Sequence, residues 1–313
     1  MTRVAIFTDE TGWHTRQLQA ALRRRGAVGR CIDLAECRID TTAARHGLVL
    51  PGYGRELPDA ALVRGIAGGS FEQVTKRLGI LHALRELGVP VYNDARAIER
   101  SVDKSMTSLL LHAAGVPTPP TWVTESAAEA QRIVMRESAA GRALVLKPLF
   151  GSQGRGLQRV GCVDGAHVAL PAQGAAGGLA YLQRFVPPRE TPGFDWRVLV
   201  VGGRAITAMR RISTHWIHNL AQGARCAAAP LTPALAGLAE QAAAALDMDY
   251  AGVDLMPSGD GLDGGTVVLE VNGVAAWRGL QRVTAFNIAQ AIVDDLLERK
   301  LAHMSDTDGA RRA

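Results

Sequence analysis

The fold is decided by the stretch Thr266-Val267-Val268-Leu269-Glu270-Val271-Asn272, an apolar run that contains a carboxylate and ends in an amide. A β-strand places residues i and i+2 on the same face, so the side-chain oxygens of Glu270 and Asn272 point one way. A second apolar run, Tyr250-Ala251-Gly252-Val253-Asp254-Leu255-Met256, can bring a third oxygen from a neighbouring strand. Oxygen ligands without His or Cys suit magnesium that is held together with substrate phosphates. The two runs therefore predict a magnesium site at Asp254, Glu270 and Asn272.

A purely structural role at the ends of strands is the alternative interpretation of these three residues. A carboxylate inside an apolar strand is costly to bury without a partner, so a cation is expected close to the acidic side chains. We therefore prefer the metal-binding interpretation.

A glycine-rich turn, Gly151-Ser152-Gln153-Gly154-Arg155-Gly156, directly follows Lys147-Pro148. A Walker-type loop needs Gly-Lys-Ser/Thr, and both that loop and a Rossmann fingerprint open a helix. Here residues 144–147 and 157–160 have strand patterns, so we predict a β-hairpin whose backbone N–H groups close over phosphates. Many such turns are only structural, but a strand lysine just before the turn favours phosphate binding. Lys104, in a helical stretch, is a second candidate, with a solvated surface lysine as the alternative.

Length and composition are those of an ordinary globular chain. The 313 residues can bury a large core and suggest two or three structural units. Hydrophobic residues make up 47% of the chain and charged residues 21%, and no stretch approaches the roughly 18 uninterrupted apolar residues of a membrane span. The four scattered cysteines lack metal-type spacing, which predicts reduced thiols in a cytoplasmic protein.

The charge balance argues against a nucleic-acid partner. The net charge of +5 comes from 35 basic and 30 acidic residues, which is a modest excess. Aromatic residues make up only 5% of the chain and do not interleave with basic runs as stacking platforms do. The positive surface is better explained as plain solvation, or as an attraction for anionic substrates such as ATP and acidic metabolites.

The pattern of elements predicts three structural units and a tail. Residues 1–95 alternate strand-like and helix-like segments, which favours a small parallel-sheet α/β domain. Residues 96–185 hold nearly all of a helical region at 95–114, a further helix and the glycine turn, and we expect them to form a central lobe. Residues 186–302 are mainly β and carry the predicted metal site. Residues 303–313 are predicted to be a disordered tail.

Several further motifs occur in one order along the chain: Asp103-Lys104, Gly115-Val116-Pro117-Thr118-Pro119, Lys147-Pro148 with the glycine turn, Leu182-Gln183-Arg184-Phe185, Asp195-Trp196-Arg197, Ala251-Gly252-Val253-Asp254 and Glu270-Val271-Asn272. This ordered series resembles the ATP-grasp superfamily and, within it, the RimK-like amino-acid ligases, over roughly residues 1–301. The resemblance implies an α/β fold in which an N-terminal parallel-sheet pre-ATP-grasp domain precedes a two-lobed α+β ATP-grasp domain.

The resemblance also implies roles for individual residues. The cofactors are ATP and one or two Mg²⁺ ions, with Mn²⁺ as an alternative metal. Arg211 lies where the family places an arginine near the transferred phosphoryl group, and Asn219 lines the same region. The metal ligands are Asp254, Glu270 and Asn272. The remaining nucleotide-binding residues are Lys104 and Lys147 for the phosphates; Gly151, Ser152, Gln153, Gly154 and Gly156 in the covering loop; Gln183, Arg184 and Phe185 in the adenine hinge; and Asp195 on the ribose side.

The chain departs from the family pattern where acceptors bind. Arg184 stands where the family usually has an acidic or neutral residue, and Ile217-His218-Asn219 replaces a more polar stretch. After Asn272 the common Ala/Ser-x-Pro is absent, and Gly273-Val274-Ala275-Ala276-Trp277-Arg278-Gly279-Leu280-Gln281 stands instead. His215 and His218 lie in the variable stretch, where substrate contact and a plain polar loop role both stay open. The departures leave the ATP chemistry intact and bear on the substrate.

These features predict an ATP-dependent carboxylate–amine ligase that forms an amide through an acyl phosphate. By resemblance the amine is L-glutamate, and the carboxylate belongs to a glutamyl-bearing coenzyme of pterin or deazaflavin type or to a protein C-terminus. The altered segment after Asn272 makes the small coenzyme our preference. No membrane partner is expected, and homo-oligomerisation stays open.

Two alternatives belong beside that prediction. One is another ATP-grasp ligase of the dipeptide or glutathione type, with a different acid and amine. The other is a nucleotide-binding regulatory module that keeps the fold without turnover.

Overall fold

The computed structural model describes residues 1–151, 153–171, 178–258 and 265–302. Within these ranges a parallel sheet comes first in the chain, and antiparallel sheets follow it. This arrangement confirms the predicted fold class. None of the helices in the described ranges combines the length and the apolar composition that a membrane-spanning helix requires.

The N-terminal sheet has the strand order β2-β1-β5-β6, and its neighbours run parallel. Alternate residues of the first strand enter different cores. Val4 and Ile6 pack in the core that includes the helix Trp13–Arg24, whereas Ala5 and Phe7 pack in the core that includes the helix Phe71–Glu86. The elements of this domain are β1 (Arg3–Phe7), α1 (Trp13–Arg24), β2 (Val28–Ile32), β3 (Arg38–Ile39), β4 (Leu48–Val49), β5 (Ala60–Val63), α2 (Phe71–Glu86) and β6 (Val91–Tyr92).

The central sheet is antiparallel in the order β10-β9-β8-β11-β7, and a helix covers it through Ile133 and Val134. The helical region predicted at 95–114 is two helices, because Asp103 accepts bonds from the backbone N–H groups of Ser105 and Met106 and so starts a new helix. The elements are α3 (Ala95–Val102), α4 (Lys104–Ala113), β7 (Thr121–Thr124), α5 (Ala127–Ala139), β8 (Ala143–Lys147), β9 (Gln158–Val163), β10 (Ala166–Val168) and β11 (Ala180–Arg184).

The C-terminal sheet is antiparallel in the order β14-β13-β12-β15-β16. An alanine-rich helix packs on one face through Ala239 and Ala242, which allow it to approach Val198 and Val253 closely. The elements are β12 (Gly193–Val201), β13 (Arg204–Ser213), a 3₁₀ turn (Leu220–Gln222), β14 (Arg225–Ala228), α6 (Pro233–Ala245), β15 (Tyr250–Pro257), β16 (Thr266–Asn272), α7 (Arg278–Gln281), α8 (Ile288–Asp295) and a π-helical turn (Leu296–Leu301).

The N-terminal domain and the C-terminal sheet share one core. Leu22 of α1 and Ile292 of α8 belong to the same buried apolar cluster. At the end of β6, the fully buried Asn93 donates to the carbonyls of Tyr250 (2.7 Å) and Gly273 (2.5 Å). Its Oδ1 accepts from the backbone N–H groups of Asp249 (2.6 Å) and Tyr250 (2.9 Å). One amide therefore fixes the first domain against the strands that carry the predicted metal site.

The domain limits at residues 95, 185 and 302 stay predictions. The predicted tail at 303–313 lies outside the described residues.

The Asn93→Ala substitution should strongly destabilise the protein. It would leave buried N–H and C=O groups of Asp249, Tyr250 and Gly273 without partners, each of which costs about 1–3 kcal/mol. We expect the free energy of unfolding, measured by denaturant titration, to fall by about 3 kcal/mol or more. Asn287→Ala is the matched control, because Asn287 only caps α8 and its loss should cost about 1 kcal/mol. Equal losses in the two variants would contradict the proposed junction.

Candidate active site

The glycine turn is the tip of a β-hairpin, as predicted. Strands β8 and β9 pair antiparallel, with Leu144 opposite Val160. Within the turn, Gly154 and Gly156 have φ values of +71° and +73°, which favour glycine. Gly154 also lies against the opposite lobe, because an added Cβ would come within 2.7 Å of Ile217 and 2.8 Å of the Asn219 side chain. Ser152, a predicted phosphate contact, lies outside the described residues.

Lys104 holds one end of this turn. Its ammonium donates to the carbonyl of Gly151 at 2.8 Å and to that of Leu149 at 3.3 Å. It also lies 4.0 Å from a carboxylate oxygen of Glu270. Burial lowers the pKa of Lys104, although the Glu270 charge opposes the shift. The helix break at Asp103 therefore places a cation between the glycine turn and the carboxylate strand.

Lys147 occupies the neighbouring position at the end of β8. Its ammonium donates to Oε1 of Gln183 at 2.6 Å and lies 5.8 Å from the centre of the Tyr181 ring. The Gln183 amide donates in turn to the Thr121 hydroxyl at 3.2 Å, which fixes its orientation. Burial, reinforced by the charge of Lys104, lowers the pKa of Lys147 to about 8 against the opposing effect of Glu270. The two lysines thus face one small space.

A narrow cavity of about 110 Å³ lies beside Lys147. Its walls include the predicted hinge residues Gln183, Arg184 and Phe185, together with Asp195 and Asn219. The guanidinium of Arg184 points to Glu137 of α5, to which it donates at 2.8 and 3.1 Å. Its side chain is therefore committed to a buried carboxylate, which leaves the backbone of this segment facing the cavity.

Four charged side chains form a buried network between β12, β13 and β15. Arg211 donates to Asp195 at 2.7 and 2.6 Å and lies 3.0 Å from Asp254. Arg197 donates to both oxygens of Asp254, including a contact at 2.8 Å through its Nη2. The strand register explains these pairs, because Asp195 lies opposite Arg211 and Arg197 lies opposite Asp254. The cation that sequence reasoning expected beside Asp254 is thus supplied in this structure by arginines.

The two carboxylates of this network differ in their proton affinity. Burial raises the pKa of Asp254, but Arg197 and Arg211 outweigh that effect and lower it. Burial raises the pKa of Asp195 to about 6, because the opposing effect of Arg211 is too small to offset it. We therefore assign the more firmly held negative charge to Asp254.

The three predicted metal ligands come together on adjacent strands. Asp254 lies opposite Glu270 in the β15–β16 register, and Gly252 lies opposite Asn272. The Asn272 amide donates to the Gly252 carbonyl at 3.2 Å, which leaves its Oδ1 available as an acceptor. Within the described ranges no cluster of three His, Cys, Asp or Glu side chains is found, so this set consists of two carboxylates and an amide. Such a set fits Mg²⁺, which completes its coordination with phosphate oxygens and water.

A larger cavity of about 700 Å³ adjoins the narrow one. Among the residues that the structure describes, three line both cavities: Arg211, Asn219 and Glu270. Further walls of the larger cavity come from the N-terminal domain, through residues such as His14 and Arg64, and from Arg278, which follows β16. A group held in the narrow cavity can therefore react with a molecule held in the larger one at this shared wall.

The sequence assigned no role to His14, Arg64 or Arg197, whereas Arg278 belongs to the segment 273–281 that was predicted to bear on the substrate. Arg197 lies two residues after Asp195 on a strand, so the alternation of side chains was a usable signal. Arg64 directly follows a buried strand of a parallel sheet, where ligands commonly bind. His14 gives no local signal, because a distant segment decides what its ring faces.

Comparisons with known proteins show the family of the chain. Residues 101–296 match the family model described as the RimK-like ATP-grasp domain, and residues 2–98 match the RimK PreATP-grasp domain. The chain is 36% identical over 299 residues to a tetrahydromethanopterin:alpha-L-glutamate ligase of Methanococcus maripaludis, with 94% of this chain and 98% of the relative covered. It is 31% identical over 329 residues to the ligase of the same name from Methanosarcina acetivorans, with 95% and 99% covered.

A solved structure supports the fold. The ATP-grasp ligase PsnB, in complex with a phosphomimetic variant of its minimal precursor, Mg and ADP, matches with a TM-score of 0.70. The identity is 19%, and the match covers 97% of this chain and 99% of PsnB.

The Gly154→Ala substitution should weaken ATP binding. The new methyl group would meet Ile217 and Asn219 and push the turn away from the opposite lobe. We expect the KM for ATP to rise about tenfold, the effect of a strain of about 1.4 kcal/mol. Gly141→Ala is the matched control, because Gly141 has φ +70° but open space around it. A KM that changes equally in both variants would show that backbone strain, not the contact, is responsible.

ATP binding should depend on pH through Lys147. With a pKa of about 8, this ammonium is charged at neutral pH and loses its proton as the pH rises. We expect the Kd for ATP, measured calorimetrically, to increase between about pH 7 and about pH 9. Lys147→Arg should give a flatter profile, because a guanidinium stays charged over that range. Identical slopes in the two proteins would exclude Lys147 as the source.

Proposed function

The chain belongs to the RimK-like ATP-grasp family, and on that premise we propose that it is an ATP-dependent ligase that joins the amine of L-glutamate to a carboxylate of a small coenzyme. The observation that carries the proposal is the shared wall between the two cavities. Arg211, Asn219 and Glu270 face both the narrow cavity beside Lys147 and the larger cavity beside the N-terminal domain. Such a wall suits phosphoryl transfer from a nucleotide to a second substrate.

The proposed roles follow from position. ATP occupies the narrow cavity, with its adenine at the backbone of Gln183, Arg184 and Phe185 and its phosphates near Lys104 and Lys147. The glycine turn covers the phosphates with its backbone N–H groups. Asp195 holds Arg211, which faces the transferred phosphoryl group. Asp254, Glu270 and Asn272 would hold Mg²⁺, which when bound supplies positive charge to the phosphate oxygens.

The proposed reaction has two steps. In the first, an oxygen of the acceptor carboxylate attacks the γ-phosphorus of ATP, the bond to the β-phosphate oxygen breaks, and ADP leaves. In the second, the amine of glutamate attacks the acyl carbon, phosphate departs with its oxygen, and the nitrogen loses a proton as the amide forms. Fixed cations lower the barrier to phosphoryl transfer because they meet charge as it spreads over the transferring group.

The glycine turn has a second task in this scheme. An acyl phosphate reacts with water as well as with amines, so the site must exclude water while the intermediate exists. The contact of Gly154 with Ile217 and Asn219 closes the hairpin over the shared wall. The turn therefore protects the intermediate from hydrolysis.

The substrates are proposed from the relatives. Both relatives described above are named as ligases of tetrahydromethanopterin and L-glutamate, and each alignment covers nearly all of both chains. That supports glutamate as the amine and a pterin-like coenzyme with a terminal carboxylate as the acceptor. A deazaflavin-type coenzyme and a protein C-terminus are the other acceptors to test.

The test is an ADP-release assay with Mg²⁺, L-glutamate and each candidate acceptor, followed by mass spectrometry of the product. We expect ADP release that requires both substrates and a product heavier by one glutamyl residue. Glu270→Gln should lower the rate by about a hundredfold or more, the usual loss when a charge-stabilising group is removed from a reaction centre. Glu125→Gln, on an exposed residue outside both cavities, should retain full activity.

Two outcomes would contradict the proposal. Product formation with another amino acid but never with glutamate would overturn the choice of amine. ATP binding without ADP release for every acid and amine pair would favour the regulatory-module alternative.

A further inference from the structure

Arg64 is a cation whose partners in this structure are neutral. It directly follows β5 and is half-buried. Its Nη1 donates to the Val274 carbonyl at 2.9 Å, and its guanidinium carbon lies 5.2 Å from the centre of the Trp277 ring. Its Nε is buried and has no hydrogen-bond partner in the described part of the chain. A partly buried charge with neutral partners is costly, so Arg64 is suited to an anion that arrives from outside.

Arg278 brings a second cation to the same cavity. It is the first residue of α7, it is exposed, and within the described ranges it forms no ion pair. The charges of both Arg64 and Arg278 act on the ring of His14, which lies against Trp277 with ring centres 4.6 Å apart. Residues of two domains thus place two guanidinium groups around one imidazole.

His14 adds a neutral donor. Burial, together with the charges of Arg64 and Arg278, lowers its pKa to about 4, so the ring is uncharged at neutral pH. Its Nε2 accepts from the backbone N–H of Trp277 at 3.2 Å. In a neutral imidazole the proton then resides on Nδ1, which is free to donate.

The position in the sheet is also one where anions bind. Strands β1 and β5 are neighbours in the parallel sheet, and the chain leaves them in opposite directions, toward β2 and toward β6. Ligands of open α/β sheets commonly bind in the crevice at the carboxyl ends of such a strand pair. Helix α1 begins at this crevice with no acidic residue in its first turn, so its positive end faces the cavity.

We propose that Arg64 and Arg278, assisted by His14, form a binding site for the two carboxylates of the incoming dicarboxylic amino acid. This proposal rests on the proposed function and adds the residues that select the amine substrate. In the ligation the acceptor loses the charge of its reacting carboxylate, whereas the amino acid keeps both carboxylates throughout. Two fixed cations outside the shared wall therefore suit the amino acid and leave its amine to approach the acyl phosphate.

The acidic residues at the cavity mouth agree with this occupant. Asp9 and Glu10 follow β1, line the same cavity and are exposed. Their carboxylates would disfavour a ligand that carries only negative charge and would attract the ammonium group of an entering amino acid. A zwitterionic dicarboxylate matches both signs.

The test measures binding without turnover. L-glutamate, glutarate and L-glutamine are titrated calorimetrically into protein saturated with Mg²⁺ and a non-hydrolysable ATP analogue. We expect Arg64→Gln and Arg278→Gln each to raise the Kd for glutamate and for glutarate by about tenfold or more, the loss expected for a charge-assisted hydrogen bond. Glutamine has only one carboxylate, so in one of the two variants its Kd should rise less than the Kd for glutamate. Affinity for the ATP analogue should not change.

Controls separate this site from folding and from the proposed function. Arg132→Gln changes an exposed arginine of α5 and should leave all affinities as in the wild type. Arg278 is exposed, so its substitution should be tolerated even where Arg64→Gln lowers the melting temperature, and Arg64→Lys offers a milder change. A wild-type protein that binds glutamate with a Kd unchanged in both glutamine variants would overturn the site and leave the function standing. Binding of a different dicarboxylate through these arginines would keep the site and overturn glutamate as the substrate.

Two further results would overturn the site. The first is that Arg64→Gln and Arg278→Gln raise the KM for the acceptor and leave the KM for glutamate unchanged. The second is a wild-type protein that binds neither glutamate nor glutarate under these conditions.

Discussion

The buried pairing of Arg197 and Arg211 with Asp195 and Asp254 is the constraint on which the rest of the site depends. The side chains are between 4% and 11% exposed, so water does little to screen their charges. Two positive and two negative charges balance, and removal of one would leave an unpaired charge that typically costs about 3–5 kcal/mol. Each pair lies across a strand boundary, so the balance requires the observed register of β12 with β13 and β15. A slip by one residue would turn these charges to the opposite face of the sheet.

The same strand register also positions the residues around this charged network. With Asp254 fixed by arginines, the β15–β16 pairing sets Glu270 and Asn272 beside it, and Lys104 reaches Glu270 from the helix break at Asp103. The hairpin then meets the other lobe at Asn219, one of the residues shared by the two cavities. Most of the proposed catalytic groups are thus held by sheets and helix ends, whereas the glycine turn is a loop that must approach a ligand.

Much of this arrangement was predictable because it is local. The alternation of Glu270 and Asn272, the hairpin around the glycine turn and the parallel N-terminal sheet follow from short patterns that the structure reproduces. The helix break at Asp103 was missed although its capping side chain is a local signal. The partners of Asp254 were missed for a different reason, since they depend on which strands lie side by side.

Only one wall of the larger cavity, the segment 273–281, was predicted to bear on the substrate, because the other walls come from segments far away in the chain. No local sequence pattern at Arg64 or His14 indicates a ligand. The surroundings of both side chains depend on how residues 273–281 fold. Lys147 is an intermediate case, because its position and its phosphate-binding role were predicted from the sequence and its lowered pKa was not. Its lowered pKa arises from burial and from Lys104, neither of which a strand pattern reveals.

The contacts of Trp277 bear on how such proteins can be recombined. Its indole supports the guanidinium of Arg64, and its backbone N–H fixes the ring of His14, so the N-terminal domain presents these groups correctly only with this segment in place. An exchange of the first domain between related enzymes would therefore separate two halves of one recognition surface. Chimeras intended to alter substrate choice should therefore take residues 273–281 and the N-terminal domain from the same parent enzyme.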